Sequence, residues 1–413
     1  MNSSVSPGKF AWFVVALLVP VALLNYLDRQ MLATMKASMV ADIPTIANRA
    51  DWGLVLGAFK WTYAILSPFG GYVADRIGRH RVIAASLLVW SVVTWWTGHT
   101  TTFGELVATR ALMGISEAFY MPAALAFIAD YHPGLTRSRA IGVHQTGIYV
   151  GQILGGFAGY VADSSDHGWR WAFTTCGLIG VIYALPLMAM LRSPQRVVAE
   201  PSTEKLKAGV WRGLLTNRNF ILLVLYFTLP AIAGWVVRDW MPDILRERFG
   251  LGQGAAGVKA ILYVQVASLI GAVVGGALAD RWMRNNKRGR IFVSAIGMVL
   301  FLPALFSVGN AGTVSMAVAG LIVFGLGWGF FDCNNMPILC QIARPELRAT
   351  GYGIMNLVSI SCGGFGDWAF GALRDRHVPL NAIFGVFAGI ALLSVLVVLV
   401  IRPQGGDESS AAR

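Results

Sequence analysis

The chain has 413 residues, 56% of them hydrophobic and only 13% charged, with a mean hydropathy of +0.61. A soluble domain carries about 25% charged residues, so this composition excludes a soluble globular chain and points to an all-α polytopic membrane protein. The net charge of +12 does not indicate a nucleic-acid partner, because the basic residues sit in short stretches between apolar runs, where they act as topology signals.

In chain order, a single Lys9 precedes the first apolar run, and no small-residue cleavage site follows it, so that run is expected to be retained as a span. Phe10 to Leu24 carry no charge, and the run ends on Asn25-Tyr26-Leu27-Asp28-Arg29. Hydropathy predicts twelve transmembrane helices, each long enough to cross a hydrocarbon core of ~30 Å. The first six are expected at 10–35, 52–74, 82–99, 104–130, 140–162 and 170–191. The second six are expected at 219–247, 256–281, 290–308, 313–343, 349–373 and 380–402. The predicted domains are therefore an N-terminal six-helix bundle (1–191), a polar linker (192–218) and a C-terminal six-helix bundle with a short tail (219–413). The four cysteines, Cys176, Cys333, Cys340 and Cys362, fall inside predicted spans without metal-like spacing and read as free thiols, so no metal site is expected. Of the 33 Lys and Arg, 21 lie on the side of the two termini and eight on the other, which puts both termini in the cytoplasm. Short loops and the lack of a glycosylation sequon beyond Asn2 fit a bacterial inner membrane.

The two halves echo each other. Gly71-Tyr72-Val73-Ala74-Asp75-Arg76 recurs as Gly276-Ala277-Leu278-Ala279-Asp280-Arg281, and Arg139-Ala140-Ile141-Gly142 as Arg348-Ala349-Thr350-Gly351. Glu117 before Met121-Pro122 recurs as Asp332 before Met336-Pro337. Three matches in one order at a nearly constant offset indicate a duplicated six-helix unit.

The stretch from Gly71 through Asp75, Arg76, Gly78 and Arg79 to Arg81 resembles the signature loop of the major facilitator superfamily, and Asp280-Arg281 stands where that family repeats it. The resemblance implies twelve spans in two pseudo-symmetric six-helix bundles, usually monomeric, moving a small molecule across the lipid bilayer by alternating access. It also implies that the loop is a conformational latch carried by Gly71, Asp75, Arg76, Gly78, Arg79, Asp280 and Arg281. Asn25 to Arg29, the run Arg110 to Ala118 and Gly168 to Phe173 resemble the anion:cation symporter family within it. Spinster-type lipid transporters share the Asn-Tyr-x-Asp-Arg and Arg-x6-Glu patterns. Lys60 in span 2 and His144-Gln145 in span 5 depart from the symporter pattern.

The charged residues inside spans carry the functional expectation, because a bilayer charges several kcal/mol for each unless it is paired or faces a cavity. At ~1.5 Å per residue, Asp28, Lys60, Glu117 and Arg238 lie roughly 20–28 Å from the cytoplasmic ends of their helices. Arg110 and Glu117, seven residues apart, project from one helix face. Asp28 and Glu117 are the expected proton-coupling sites, with the proton as coupling ion and no other cofactor. Arg29 and Arg110 are the expected anion ligands, since guanidinium grips a carboxylate in a fork. Tyr26, Lys60, Gln145, Asp332, Asn335 and Asn356 complete the predicted substrate-binding set. Simpler roles are open for several: Asp28-Arg29 as a structural pair, Lys60 snorkelling to the interface, Arg238-Asp239 as a gate or a wet helix end, and Asp367 as a surface or gate residue. The expected activity is proton-coupled symport of a small organic anion, a sugar acid or monocarboxylate. A lysolipid or a neutral sugar or amino sugar is the alternative cargo. No paired-His motif, nucleophile elbow or phosphate loop suggests an enzyme.

Overall fold

The computed structural model describes residues 8–132, 136–192, 213–344 and 347–402. Its regular structure is helical: α1 (Lys9–Thr34), α2 (Lys36–Asp42), α3 (Arg49–Ile77), α4 (Arg79–Thr97), α5 (Phe103–Ala118), α6 (Tyr120–Tyr131), α7 (Arg137–Ala162) and α8 (Gly168–Met190), then α9 (Arg218–Phe249), α10 (Gln253–Met283), α11 (Gly289–Asn310), α12 (Val314–Ile342), α13 (Arg348–Asp375) and α14 (Leu380–Val400). The twelve predicted spans appear within a few residues of their expected limits. Two features were not expected. The short α2 occupies what reads as a loop, and span 4 is broken at Phe119 into α5 and α6. Most of the predicted linker lies outside the described residues.

Eight segments, seven single helices and α5 taken together with α6, are long and apolar enough to cross a membrane by length and composition alone. The others of span length, α3, α4, α7 and α13, are more polar because they carry the buried charges, hydroxyls and glycines described below. Helix starts are written locally. Asn48 accepts a hydrogen bond from Asp51 N, Thr313 from Met316 N, and Thr102 forms a capping box with Glu105. α3 stops at Gly78, whose φ of 106° suits a residue without Cβ. Prolines inside α1, α3, α8, α11 and α12 are tolerated, as is usual where neighbouring helices satisfy freed backbone groups.

The chain divides into two compact units. One comprises residues 1–201, 236–262 and 364–375; the other comprises 202–235, 263–363 and 376–413. In the first, a core of Val14, Leu18, Leu87, Trp90, Tyr120 and Phe127 joins α1, α4 and α6. Lipid offers no hydrophobic drive between helices, so close approach depends on small residues. α7 presents Gly147, Gly151 and Gly155 to α1; a Cβ on Gly151 would stand 2.3 Å from Leu23 O. Thr34 Oγ1 donates to Gly155 O at 2.9 Å across the same seam. This seam fixes the half of α1 that carries Asp28 and Arg29. In the second unit, Phe301, Phe324 and Trp328 stack between α11 and α12.

Candidate functional site

Asp28 and Arg29 do not pair with each other. Each crosses to α5. Arg29 Nε donates to Glu117 Oε2 at 2.7 Å, and Arg110 Nη1 donates to Asp28 Oδ1 at 3.4 Å. Arg29 leans toward the N-terminal end of α1, the usual direction of helical side chains, and so reaches the acid two turns from Arg110. Asp28, Arg110 and Glu117 are 2%, 1% and 0% exposed. The Arg29 side chain, at 17%, is the wettest of the four.

Both pairs are supported by further residues, of which the sequence pattern singled out only Tyr26. The Arg29 guanidinium lies 4.7, 4.6 and 5.0 Å from the rings of Tyr26, Phe59 and Tyr63, an aromatic box that stabilises the cation. Thr94 Oγ1 donates to Asp28 Oδ2, and Arg110 Nη2 donates to Thr97 Oγ1 at 3.0 Å. Phe59 and Tyr63 are four apart on α3, and Thr94 and Thr97 three apart on α4. Those spacings were visible, but which neighbour they face was not. Glu117 Oε1, Arg110 Nε and both amide atoms of the fully buried Asn25 have no hydrogen-bond partner. Two neutral ion pairs with spare polar atoms thus lie between α1 and α5, with Arg29 their most exposed member.

The other expected site residues are placed as follows. Gln145 on α7 is half-buried beside His144, which is fully buried with Nε2 at 2.8 Å from Tyr120 Oη. Lys60 does not snorkel. Its ammonium, 3% exposed, is bound by Asp239 and Asp367. Asp367 is correspondingly not at the surface, at 0% exposure, and Asp239 is not a wet helix end, at 8%. In the second unit Asn335 is 2% exposed with an unpartnered amide, Asn356 is half-buried and Asp332 is exposed. The repeat therefore equates Glu117 and Asp332 in position but not in burial, because Glu117 has a facing arginine that encloses it. The four cysteines are unpaired.

Of the expected latch residues, Asp75 and Arg79 bind each other. Arg79 Nη2 and Nε bind Asp75 Oδ1 at 2.7 and 2.9 Å, and Nη1 binds Asp130 Oδ2 at 2.7 Å and Ala126 O at 3.0 Å. The Arg79 fork so ties the end of α3 to the end of α6 around the Gly78 turn. Gly71 is half-buried one turn before Asp75, and Arg76 donates to Tyr72 Oη. In the repeat, the exposed Asp280 takes Arg290 at 3.7 Å, a looser contact, while Arg281 is exposed.

Comparison with known proteins accords with this architecture. The spinster protein of Drosophila melanogaster is 26% identical over 397 residues, covering 91% of this chain, which spans 64% of the fly protein's length. Spinster homolog 1 of Homo sapiens is 28% identical over 402 residues, covering 91% of this chain and 75% of the human protein. The crystal structure of a bacterial homolog to human lysosomal transporter, spinster, in an inward-facing and unoccupied conformation superposes with a TM-score of 0.78 at 21% identity, covering 96% of this chain and 95% of that one. The family profile of the Major Facilitator Superfamily matches residues 18–367. With its twelve helical spans and duplicated signature loop, the chain belongs to the Major Facilitator Superfamily.

Proposed function

We propose that the chain is a secondary active transporter that carries a small organic anion, a sugar acid or monocarboxylate, together with protons by alternating access. The crossed pairing of Arg29 with Glu117 and of Asp28 with Arg110 carries this reading. Each pair is neutral. A substrate carboxylate that takes the fork of Arg29 must displace Glu117, and it would leave one uncompensated carboxylate in a buried site. That imbalance costs several kcal/mol. A proton on Glu117 removes it, so anion and proton bind more favourably together than either does alone. Symport follows from the charge balance. Asp28, held by Arg110 and Thr94 one residue along α1, is the second proton carrier in this scheme. Tyr26, Gln145, Asn335 and Asn356 supply further polar contacts to the substrate. The proposal places a monomer in the bacterial inner membrane, with both termini in the cytoplasm and no cofactor beyond the coupling proton.

A lysolipid, the cargo that the spinster-type resemblance implies, is the second reading; spinster relatives align over 91% of the chain. Purified protein in liposomes separates the two. Sugar acids or monocarboxylates are expected to alkalinise the outer medium, and Glu117→Gln to abolish that flux while anion binding survives. Lysolipid uptake without proton flux, or proton flux unchanged in Glu117→Gln, would overturn the anion-symport scheme.

A further inference from the structure

The scheme above leaves a second buried charge cluster unused. The Lys60 ammonium on α3 donates to Oδ2 of Asp239 on α9 and to Oδ2 of Asp367 on α13. All three are buried within one compact unit. Two carboxylates share one ammonium, so the fully ionised cluster carries one net negative charge. Asp367 Oδ1 and the neighbouring Trp240 indole N–H on α9 are both buried without a hydrogen-bond partner. Lys60 and Asp367 act on each other, and Asp239 acts on both. Further along α9, Asp243 is already neutralised by Lys36, whose ammonium lies 4.6 Å from the Trp240 ring. Arg29, against Phe59, is bound to Glu117. Arg29 and Lys36 are thus each matched to an acid outside the cluster.

Water does not reach the Asp367 side chain, at 0% exposure, and reaches that of Asp239 little, at 11%. Gly53, Gly57 and Lys60 share one face of α3 (i, i+4, i+7). A Cβ on Gly53 would stand 2.6 Å from the Asp367 carbonyl oxygen and from Trp368 Cα, and one on Gly57 would stand 3.2 Å from Gly364 O. α3 and α13 therefore meet backbone to backbone over the cluster. An unpaired carboxylate closed in this way is strongly destabilising. A metal cation is a poor remedy, because the Lys60 ammonium already occupies the place between the two carboxylates.

We propose that Lys60, Asp239 and Asp367 form a second proton-binding site, separate from the α1/α5 pairs. The Asp239/Asp367 pair holds one proton while α3, α9 and α13 are packed together, and loses it to water when the helices part. The two carboxylates titrate as a pair, so the proton belongs to both. By linkage, packing takes up one proton and separation releases it. Where the parted carboxylates are ionised, the ratio of packed to parted molecules falls tenfold for each unit rise in pH.

The test needs no substrate, so its outcome is independent of whether the cargo is an anion. Full-length protein with its native cysteines replaced carries spin labels at Ala47→Cys and Leu373→Cys in lipid nanodiscs, and electron–electron distances are read across pH. The packed population is expected to rise tenfold per pH unit on acidification. Asp367→Asn and Asp239→Asn, which mimic the protonated site, are each expected to stay packed at every pH. Lys60→Met, with two acids to neutralise, is expected to show a twofold steeper slope. Asp166→Asn, at an exposed acid outside the cluster, is expected to keep the one-proton slope. Infrared difference spectra of the packed protein are expected to show one carboxylic-acid C=O band that either asparagine variant removes. A wild type without pH dependence, or Asp367→Asn and Asp239→Asn that both retain the slope, would overturn the proposal.

Discussion

Replacing Arg29 by Gln tests the crossed pairing directly. Glu117 is 0% exposed, its Oε2 is 2.7 Å from Arg29 Nε, and its Oε1 has no partner. Removing one member of a buried pair costs about 3–5 kcal/mol. The stranded carboxylate can limit that cost by taking a proton. At pH 7, protonating a glutamate of ordinary pKa near 4.3 costs about 3.7 kcal/mol, at about 1.36 kcal/mol per pH unit. The two figures agree, so protonation sets the ceiling. The sign follows from proton counts: folded Arg29→Gln binds a proton at Glu117 that its unfolded chain lacks, so stability falls as pH rises. The defect should deepen by about 3 kcal/mol between pH 5.5 and 8. The double variant Arg29→Gln/Glu117→Gln has no stranded charge and loses the same contacts with Tyr26, Phe59 and Tyr63. Thermal unfolding of wild type, both single variants and the double variant in detergent at the two pH values measures this. Equal destabilisation of Arg29→Gln at both, or a double variant no more stable than Arg29→Gln at pH 8, would refute the pairing.

Two further perturbations probe what positions the site. Gly151→Leu places a Cβ 2.3 Å from Leu23 O and forces α1 away from α7, with an expected loss of about 1–3 kcal/mol or more; Gly104→Leu, which meets open space, is the matched control in thermal unfolding. Arg79→Ala removes the bridge between Asp75 and Asp130, exposed pairs worth about 0.2–1 kcal/mol each. Little stability should be lost, while the transport rate in liposomes should fall. Arg79→Lys, which keeps the charge without the fork, should recover only part of it. A full recovery would show that the fork geometry is immaterial.

The spans were legible because hydropathy depends on composition along the chain, and the bilayer leaves helices as the only local solution. The break at Phe119 is invisible to hydropathy, and its signal is Pro122, which has no N–H to offer the Ala118 carbonyl. Charged positions were equally visible, since each interrupts an apolar run. Their partners were not. Adjacent acid and base on α1 suggest an internal pair, yet consecutive helical residues point about 100° apart, and each finds its counter-charge on α5. Lys60 read as a substrate ligand or a snorkelling side chain because only its position along its own helix, nine residues past Asp51, was available. Gly53 and Gly57, which let α13 close over it, looked like ordinary glycines until the packing placed Asp367 opposite.

Charge parity separates the buried clusters. Asp28 with Arg110, Arg29 with Glu117, and Lys36 with Asp243 each contain one acid and one base. Such pairs need no proton at rest, and they engage one only when an anion intrudes or a partner is removed. The Lys60 cluster contains two acids and one base, so its packed form requires the proton from the outset. The two kinds of site therefore answer different signals: a balanced pair responds to substrate, and the unbalanced cluster to pH and helix packing. A transporter built with both would bind a proton at the Lys60 cluster when α3, α9 and α13 close, and another at Glu117 when its anion arrives. Neutralising Asp367 should then alter the pH at which those helices close, while neutralising Glu117 should alter the coupling of anion to proton, each without the other's effect.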